Sequence, residues 1–258
     1  MKQIERRKYL IEYLLKESNV QAEIPHDEVS QKRLLRALFN VRMPKVASDD
    51  FLRIQDEYLQ EELRQKGITD IASLTPVAPD IYLWKGDITT LKCDGIVNAA
   101  NSQMLGCFCP NHSCIDNAIH TFAGIQLRQE CAEIMKEQGY EEPTGTAKIT
   151  KAYNLPCRNI LHTVGPIVYG KLTQKEEIQL ADCYRSCLAL ADENGLKNLA
   201  FCCISTGEFH FPNERAAQIA VRTVTDYKRQ TKSKIKVIFN VFKEVDYAIY
   251  TRILNANQ

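Results

Sequence analysis

The sequence VNAANSQMLGCFCPNHSCIDNAIH occupies positions 97–120 and lies between a strand pattern and a helical pattern. Gly95, Ile96 and Val97 form a short, apolar and β-branched segment, which predicts the end of a buried strand. Ala118 and Ile119 begin an apolar helical pattern behind two polar residues. Open α/β sheets bind ligands at the carboxyl ends of their strands. We therefore expect the functional site in this strand-to-helix crossing, where asparagine, cysteine and histidine side chains are concentrated.

The composition is that of an ordinary globular protein and excludes several classes of partner. The 258 residues are 45% hydrophobic and 25% charged, and 33 basic against 32 acidic residues give a net charge of +1. This balance predicts no extended nucleic-acid partner. No apolar run is long enough to span a bilayer, and the charged N-terminus lacks the pattern of a signal peptide, so we expect a cytoplasmic protein without a membrane partner.

Ten cysteines in a reducing cytosol are expected to be core residues, metal ligands or reactive thiols rather than disulfides. Most of them stand alone or in apolar segments. Only Cys107, Cys109 and Cys114 form a cluster.

The hydrophobic periodicity predicts two regions. Residues 1 to about 66 have the spacing of three amphipathic helices, and 74–80 reads as a linker. From position 81 strands and helices alternate, which predicts a three-layer α/β/α sandwich in 76–258 behind a helical extension in 1–75. The predicted strands are 81–84, 94–97, 147–150, 159–162, 199–204 and 236–239, and the predicted helices are 116–137, 174–193, 214–228 and one that begins near 245.

Four motifs in this order resemble those of a macrodomain: GDIT (86–89), VNAANS (97–102), AIH (118–120) and ISTGEF (204–209). The resemblance covers 81–258 and implies a mixed sheet within the sandwich. Many macrodomains have a run of glycines after the asparagine motif, where this chain has CFCPNHSC (107–114). That segment and the helical extension resemble the zinc-dependent microbial macrodomains. Members of this subgroup remove ADP-ribose from modified proteins and are often associated with class M sirtuins and lipoyl-carrier proteins.

Cys107, His112 and Cys114 are the candidate metal ligands. Zinc prefers thiolate and imidazole ligands, and a catalytic zinc site has three protein ligands and one open position. The alternative is a loop with incidental cysteines and a surface histidine, and the resemblance favours Zn2+. Cys109 could replace either thiolate, but we place it outside the ligand set.

Asn101 and Asp116 are the candidate catalytic residues. The resemblance implies that Asn101 hydrogen-bonds the distal ribose, with Asn98 also among the ligand-binding residues. Asp116 is placed to orient or deprotonate a water that attacks the anomeric carbon of the ribose or the adjacent acyl carbon. The alternative role of Asp116 is a helix N-cap.

A loop at 205–211 is expected to bind the diphosphate. Gly207 permits close approach of the backbone, and successive N–H groups near a helix N-terminus form an anion cradle. The alternative is a turn that leads into a helix at Pro212. Glu208 and His210 replace the smaller or apolar residues of many macrodomains. The residues assigned to this loop are Ser205, Thr206, Gly207, Glu208 and Phe209.

Asp87 and Ile88 resemble an adenine contact, in which the carboxylate accepts from the exocyclic amine and the adjacent N–H binds a ring nitrogen. Asp87 could instead be a turn residue after Gly86. Phe242 follows a strand and could stack on adenine, or pack in the core. His120 and His162 have apolar neighbours and are expected in the core.

These assignments predict a zinc-dependent hydrolase that removes mono-ADP-ribose from modified protein side chains, with an ester-linked acidic residue as the preferred target. The expected partners are the mono-ADP-ribosylated protein, by family association a lipoyl-carrier protein, and the product ADP-ribose. The alternatives are a non-catalytic ADP-ribose-binding module with a structural zinc, an O-acetyl-ADP-ribose deacetylase, and an enzyme that removes ADP-ribose from nucleic acid ends.

Overall fold

The structure, a computed structural model, describes residues 1–256. Its helices are α1 (Gln3–Ser18), α2 (Glu28–Val41), α3 (Asp49–Lys66), α4 (Ile115–Ala123), α5 (Ile125–Gln138), α6 (Gln174–Glu193), α7 (Asn213–Thr231) and α8 (Glu244–Ala256). Its strands are β1 (Thr69–Asp70), β2 (Ile81–Lys85), β3 (Leu91–Lys92), β4 (Gly95–Ala100), β5 (Ala147–Lys151), β6 (Asn159–Val164), β7 (Asn198–Phe201) and β8 (Lys236–Val241). In these residues, no helix has both the length and the apolar character needed to cross a membrane.

The three helices expected in the N-terminal region are present as α1–α3, which we call the helical extension. Ser48 caps α3 by accepting from the backbone N–H of Phe51 at 3.3 Å, and Gly67 ends the helix at a φ of 85°. The apolar faces of the three helices form one buried cluster, which includes Ile125 at the start of α5. The extension therefore packs directly on α5.

A six-stranded sheet in the order β2-β8-β7-β4-β6-β5 forms the centre of the remaining chain. Neighbouring strands run parallel except for β5, which is antiparallel to β6, so the sheet is mixed as expected. The apolar segments of β4, β7 and β8 are buried, as is typical of strands covered on both faces. A separate parallel pair, β1 with β3, was not predicted.

Helices cover both faces of the sheet. On one side α6, α7 and α8 pack against one another, with Tyr184 of α6 4.9 Å from Phe201 of β7 between ring centroids. Phe239 of β8 and Tyr250 of α8 make a similar contact at 5.1 Å. α4 contacts β4, and α5 contacts β5. The three-layer α/β/α sandwich is confirmed.

The parallel strands end at one edge of the sheet and send their loops to the same side. β7 pairs with β4 only as far as Val97 opposite Phe201, whereas β4 continues beside β6 to Ala100. The chain that leaves β7 therefore separates from β4 at Asn98. A crevice at the point where neighbouring parallel strands diverge is where such sheets bind ligands.

Two predicted elements differ from the structure. The helix predicted at 116–137 is two helices, because Gly124 has φ 100° and ψ 169°, outside the helical region. The side chain of Gln55 in α3 accepts from the N–H of Ile125 at 3.0 Å, which satisfies the first backbone donor of α5. The strand predicted at 199–204 ends at Phe201, because the following buried residues turn away into a loop.

We expect Gly124→Ala to destabilise the protein by about 2–4 kcal/mol, since its backbone conformation is one that only glycine adopts readily. An added Cβ would also lie 2.7 Å from Gln126 Oε1 and from Gln55 Nε2. The matched control is Gly139→Ala, where φ is 78° but no atom lies within 4 Å of the Cβ position, and about 1 kcal/mol is expected. Urea denaturation measures both, and equal losses would contradict this explanation.

Candidate functional site

The structure brings together the three predicted metal ligands. One ligand atom each from Cys107, His112 and Cys114 lies within 4.8 Å of the other two, and all three residues are half-buried. Cys107 Sγ is 3.6 Å from His112 Nδ1. Cys109 is exposed and outside this group. The arrangement fits the thiolate and imidazole donor set that zinc prefers. Residues 101–114 are called the metal loop below.

The first half of the metal loop is shaped by Asn101 and Gly106. Asn101 Oδ1 accepts from the N–H groups of Gln103 and Met104, both at 3.1 Å, and its Nδ2 donates to Gly106 O at 3.1 Å. Gly106 has a φ of 80°, and a Cβ there would lie 2.8 Å from the ring of His120. Asn101 thus holds the loop against α4, and its contact with a ribose stays a prediction.

Cys114, and not Asp116, is the N-cap of α4. Its Sγ accepts from the N–H of Asn117 at 3.4 Å, so the interpretation of Asp116 as a helix cap is wrong. Asp116 lies in the first turn and points inward, because that turn faces the core. Burial raises the pKa of the Cys114 thiol to about 12. A cation bound here would therefore have to displace the thiol proton.

Asp116 ends a chain of buried hydrogen bonds. Asn98 Nδ2 donates to Asp116 Oδ1 at 2.8 Å and lies 3.1 Å from His162 Nδ1. The other ring nitrogen of His162 lies 2.9 Å from Thr150 Oγ1. Burial raises the pKa of Asp116 to about 6, although the Asn98 hydrogen bond opposes the shift. In residues 1–256, no protein group hydrogen-bonds Asp116 Oδ2, so this oxygen can accept from a water.

His120 and His162 lie in the core, where they were expected. They form a second group of possible ligands with Cys131, with atoms within 4.8 Å. Burial lowers the pKa of His162 to about 3, so it is neutral and can accept from Asn98 at Nδ1 and donate to Thr150 at Nε2. Both ring nitrogens of His162 therefore have hydrogen-bond partners and are not available to a metal. Only His120 and Cys131 of this second group could then act as ligands.

The loop after β7 combines a tight turn with backbone N–H groups that have no acceptor among residues 1–256. Ser205, at φ 63°, accepts from the N–H of Phe211 at 3.0 Å and so closes the turn. Across the described part of the chain, no acceptor is found for the N–H groups of Gly207, Glu208 and Phe209. Successive N–H groups without acceptors ahead of a helix can bind an anion, and the diphosphate contact of this loop stays a prediction.

Glu208 joins this loop to the metal loop. Its Oε1 lies 3.5 Å from His112 Nε2, while the other nitrogen of the same ring faces Cys107. A carboxylate near one ring nitrogen leaves the other nitrogen able to bind a metal, and such an outer contact is usual for a metal-binding histidine.

The predicted adenine residues follow two paired strands. Lys85 pairs with Val241, so Asp87 and Phe242 follow β2 and β8 at neighbouring strand ends. Asp87 Oδ1 accepts from Thr89 N–H at 3.0 Å, and its Oδ2 lies 3.5 Å from Lys66 Nζ of α3. Phe242 is 76% exposed, which makes core packing wrong for it. Lys66 was not predicted, because no local pattern reports a contact between residues 21 positions apart.

Residues 97–220 match the family model of the Macro domain. A Protein-ADP-ribose hydrolase of Treponema medium is 60% identical and covers 99% of this chain and 100% of its own length. A protein of the same name from Staphylococcus aureus (strain MSSA476) is 51% identical over 86% of this chain and 84% of its own. The Trypanosoma brucei macrodomain in complex with ADP-ribose is 32% identical, with a TM-score of 0.65 over 84% of this chain and 94% of its own. This chain therefore belongs to the macro domain family.

Proposed function

We propose that this protein is a hydrolase that releases mono-ADP-ribose from modified protein side chains, with zinc bound by Cys107, His112 and Cys114. One observation carries the proposal: three side chains that could hold a metal ion, a buried carboxylate and a row of N–H groups without protein acceptors lie at the same edge of the sheet. The relatives named Protein-ADP-ribose hydrolase, which match most of their own length, support the same activity.

The strand order supports ADP-ribose as the bound part of the substrate. β2, β8, β7 and β4 are consecutive neighbours and carry Asp87, Phe242, the unpaired N–H groups and the metal loop, in that order. ADP-ribose has adenine, diphosphate and distal ribose in the same order. Three inter-strand spacings of about 4.8 Å place about 14 Å between the first group and the last. The linked side chain would then lie beside the metal loop.

The residues of the chain have separate parts in the proposed reaction. When bound with an open position, zinc supplies a Lewis acid that polarises an oxygen or lowers the pKa of a water. Asp116 orients the attacking water through its free Oδ2, and Asn98 holds the carboxylate in place. The N–H groups of the loop after β7 bind the diphosphate, and Asn101 binds the distal ribose.

We propose an ester-linked acidic side chain as the target, because its carbonyl offers an oxygen that can be polarised. The family resemblance adds lipoyl-carrier proteins as candidate substrates. Ten free thiols support a reducing compartment, the cytoplasm, as the place of action.

One observation favours a second function, a non-catalytic reader of ADP-ribose. Cys114 already caps α4, so a bound metal could serve to fix the loop without chemistry. Such a reader would bind ADP-ribose and zinc but would release nothing from a modified protein.

We expect Cys107→Ser and Cys114→Ser to lose zinc and at least 100-fold in the rate of ADP-ribose release, since Lewis-acid stabilisation is worth several kcal/mol. Serine is itself a good N-cap, so α4 should persist in the second variant. Cys109→Ser is the matched control and should keep both properties. Zinc per chain and release from an ester-linked mono-ADP-ribosylated protein are measured together. Full zinc loading without release from any linkage in the unmodified protein would indicate the reader.

Asp87→Ala should remove the preference for adenine. A carboxylate accepts from the amine of ADP but faces the carbonyl oxygen of inosine diphosphate, so the native protein should bind ADP at least 10-fold more tightly. The variant should bind ADP about 10-fold more weakly than the native protein does and should bind the two nucleotides with nearly equal affinity. Isothermal titration calorimetry measures the four dissociation constants. An unchanged preference in the variant would exclude Asp87 from the adenine site.

A further inference from the structure

The second half of the metal loop is held largely by α2 of the helical extension. Arg36 Nη2 donates to the backbone carbonyl of His112 at 3.0 Å. Asn40 Oδ1 accepts from the backbone N–H of Asn111 at 2.9 Å. These contacts join residues more than 70 positions apart in the sequence. Two successive residues of the loop, one of them a candidate ligand, are therefore fixed by side chains from outside the α/β sandwich.

Arg36 also acts on the loop through Asn117. Its Nε and Nη2 donate to Asn117 Oδ1 at 3.2 and 2.8 Å, and Asn117 Nδ2 donates to Cys109 O at 3.0 Å. A guanidinium group can only donate, so it determines which side of the Asn117 amide faces α2 and which faces the loop. Asn117 is fully buried, and its own N–H bonds Cys114 Sγ. One arginine thus sets the backbone at Cys109 and His112.

Asn40 has a matching role on the other side. It is 1% exposed, and its Nδ2 donates to Thr121 Oγ1 at 2.9 Å while its Oδ1 holds Asn111. Thr121 Oγ1 in turn donates to Asn117 O at 2.7 Å. Asn111 has a φ of 56°, and its bond to Asn40 fixes the sharp turn just before His112. Loss of Asn40 would leave buried polar groups without partners.

We propose that Arg36 and Asn40 are positioning residues of the metal site, and that α2 of the helical extension holds the loop in the conformation that binds the ion. This inference rests on the proposed zinc site. Neither residue offers an atom to the ion. They act by fixing the backbone of His112 and its neighbours, so that its ring meets Cys107 and Cys114 without further rearrangement. The extension would then determine metal affinity, beyond covering a face of the domain.

The test uses the full chain, with Arg36→Gln, Arg36→Lys and Asn40→Ala. Arg33→Gln is the matched control, since Arg33 is an exposed arginine on the same helix. Competition with a chromogenic chelator measures the zinc dissociation constant, and the ligand-field spectrum of bound Co2+ reports the geometry of the ligands. Calorimetry with ADP-ribose serves as a check that each variant is folded.

We expect Arg36→Gln and Asn40→Ala to weaken zinc binding by about 10- to 100-fold, because the loss of a residue that orients a metal ligand commonly has an effect of this size. Both variants should also alter the Co2+ spectrum. Affinity for ADP-ribose should change by less than about threefold. Arg36→Lys should have an intermediate effect, because an ammonium lacks the planar fork that reaches both carbonyl oxygens. If Arg36→Gln fails to fold, Arg36→Lys still tests the positioning role of Arg36.

Native zinc affinity and an unchanged Co2+ spectrum in all three variants would overturn the inference and leave the proposed function intact. A native protein that binds no zinc, or a Cys107→Ser variant that binds it as tightly as the native protein does, would overturn both. An equal loss of affinity in Arg33→Gln would show an effect of charge alone and would also overturn the positioning role.

Discussion

The backbone pairing of β4 determines the geometry of the whole site. β4 pairs with β6 over six residues but with β7 over only three. Pairing with β7 therefore ends at Val97, whereas pairing with β6 continues to Ala100. Where β7 departs, Asn98 is still in the sheet and its side chain can reach Asp116 and His162 in the core. Where β4 itself ends, the metal loop begins. A shift of one residue in this register would turn the side chain of Asn98 to the opposite face and separate these groups.

A second constraint is the satisfaction of polar groups in a dry interior. Asp116 is buried beside apolar helices, and a carboxylate in such a place is costly unless it is hydrogen-bonded. Asn98 supplies one donor, and His162 orients the amide because its neutral ring accepts at Nδ1. Within residues 1–256, the same arrangement leaves the second carboxylate oxygen of Asp116 without a protein partner. The chain that stabilises the core thereby also presents an acceptor at the site.

The fold class could be predicted from the sequence because it follows from local patterns. The alternation of apolar strands with amphipathic helices predicted the sandwich, and the spacing of Cys107, His112 and Cys114 predicted a group that the structure brings together. The sequence pattern places Gly124 within a helix, because its non-helical conformation depends on Gln55 and Asn154, which come from distant segments. The roles of Arg36 and Asn40 cannot be predicted from the sequence for a related reason. Their partners lie in a distant segment, and no periodicity within α2 distinguishes them from ordinary polar residues.

The contacts between Arg128 and the helical extension have a consequence for how the molecule folds. This α5 residue is 5% exposed, and its Nη1, with two N–H groups, lies within hydrogen-bond distance of the carbonyl oxygens of Phe39, Asn40 and Arg42 at the end of α2. Arg128 thereby caps carbonyl groups at the C-terminal end of α2, which have no partner within that helix. Without the extension, Arg128 would lose these carbonyl acceptors, and Ile125 would lose the apolar cluster that covers it. We therefore expect the extension and the sandwich to unfold in one cooperative transition, as a single thermodynamic unit.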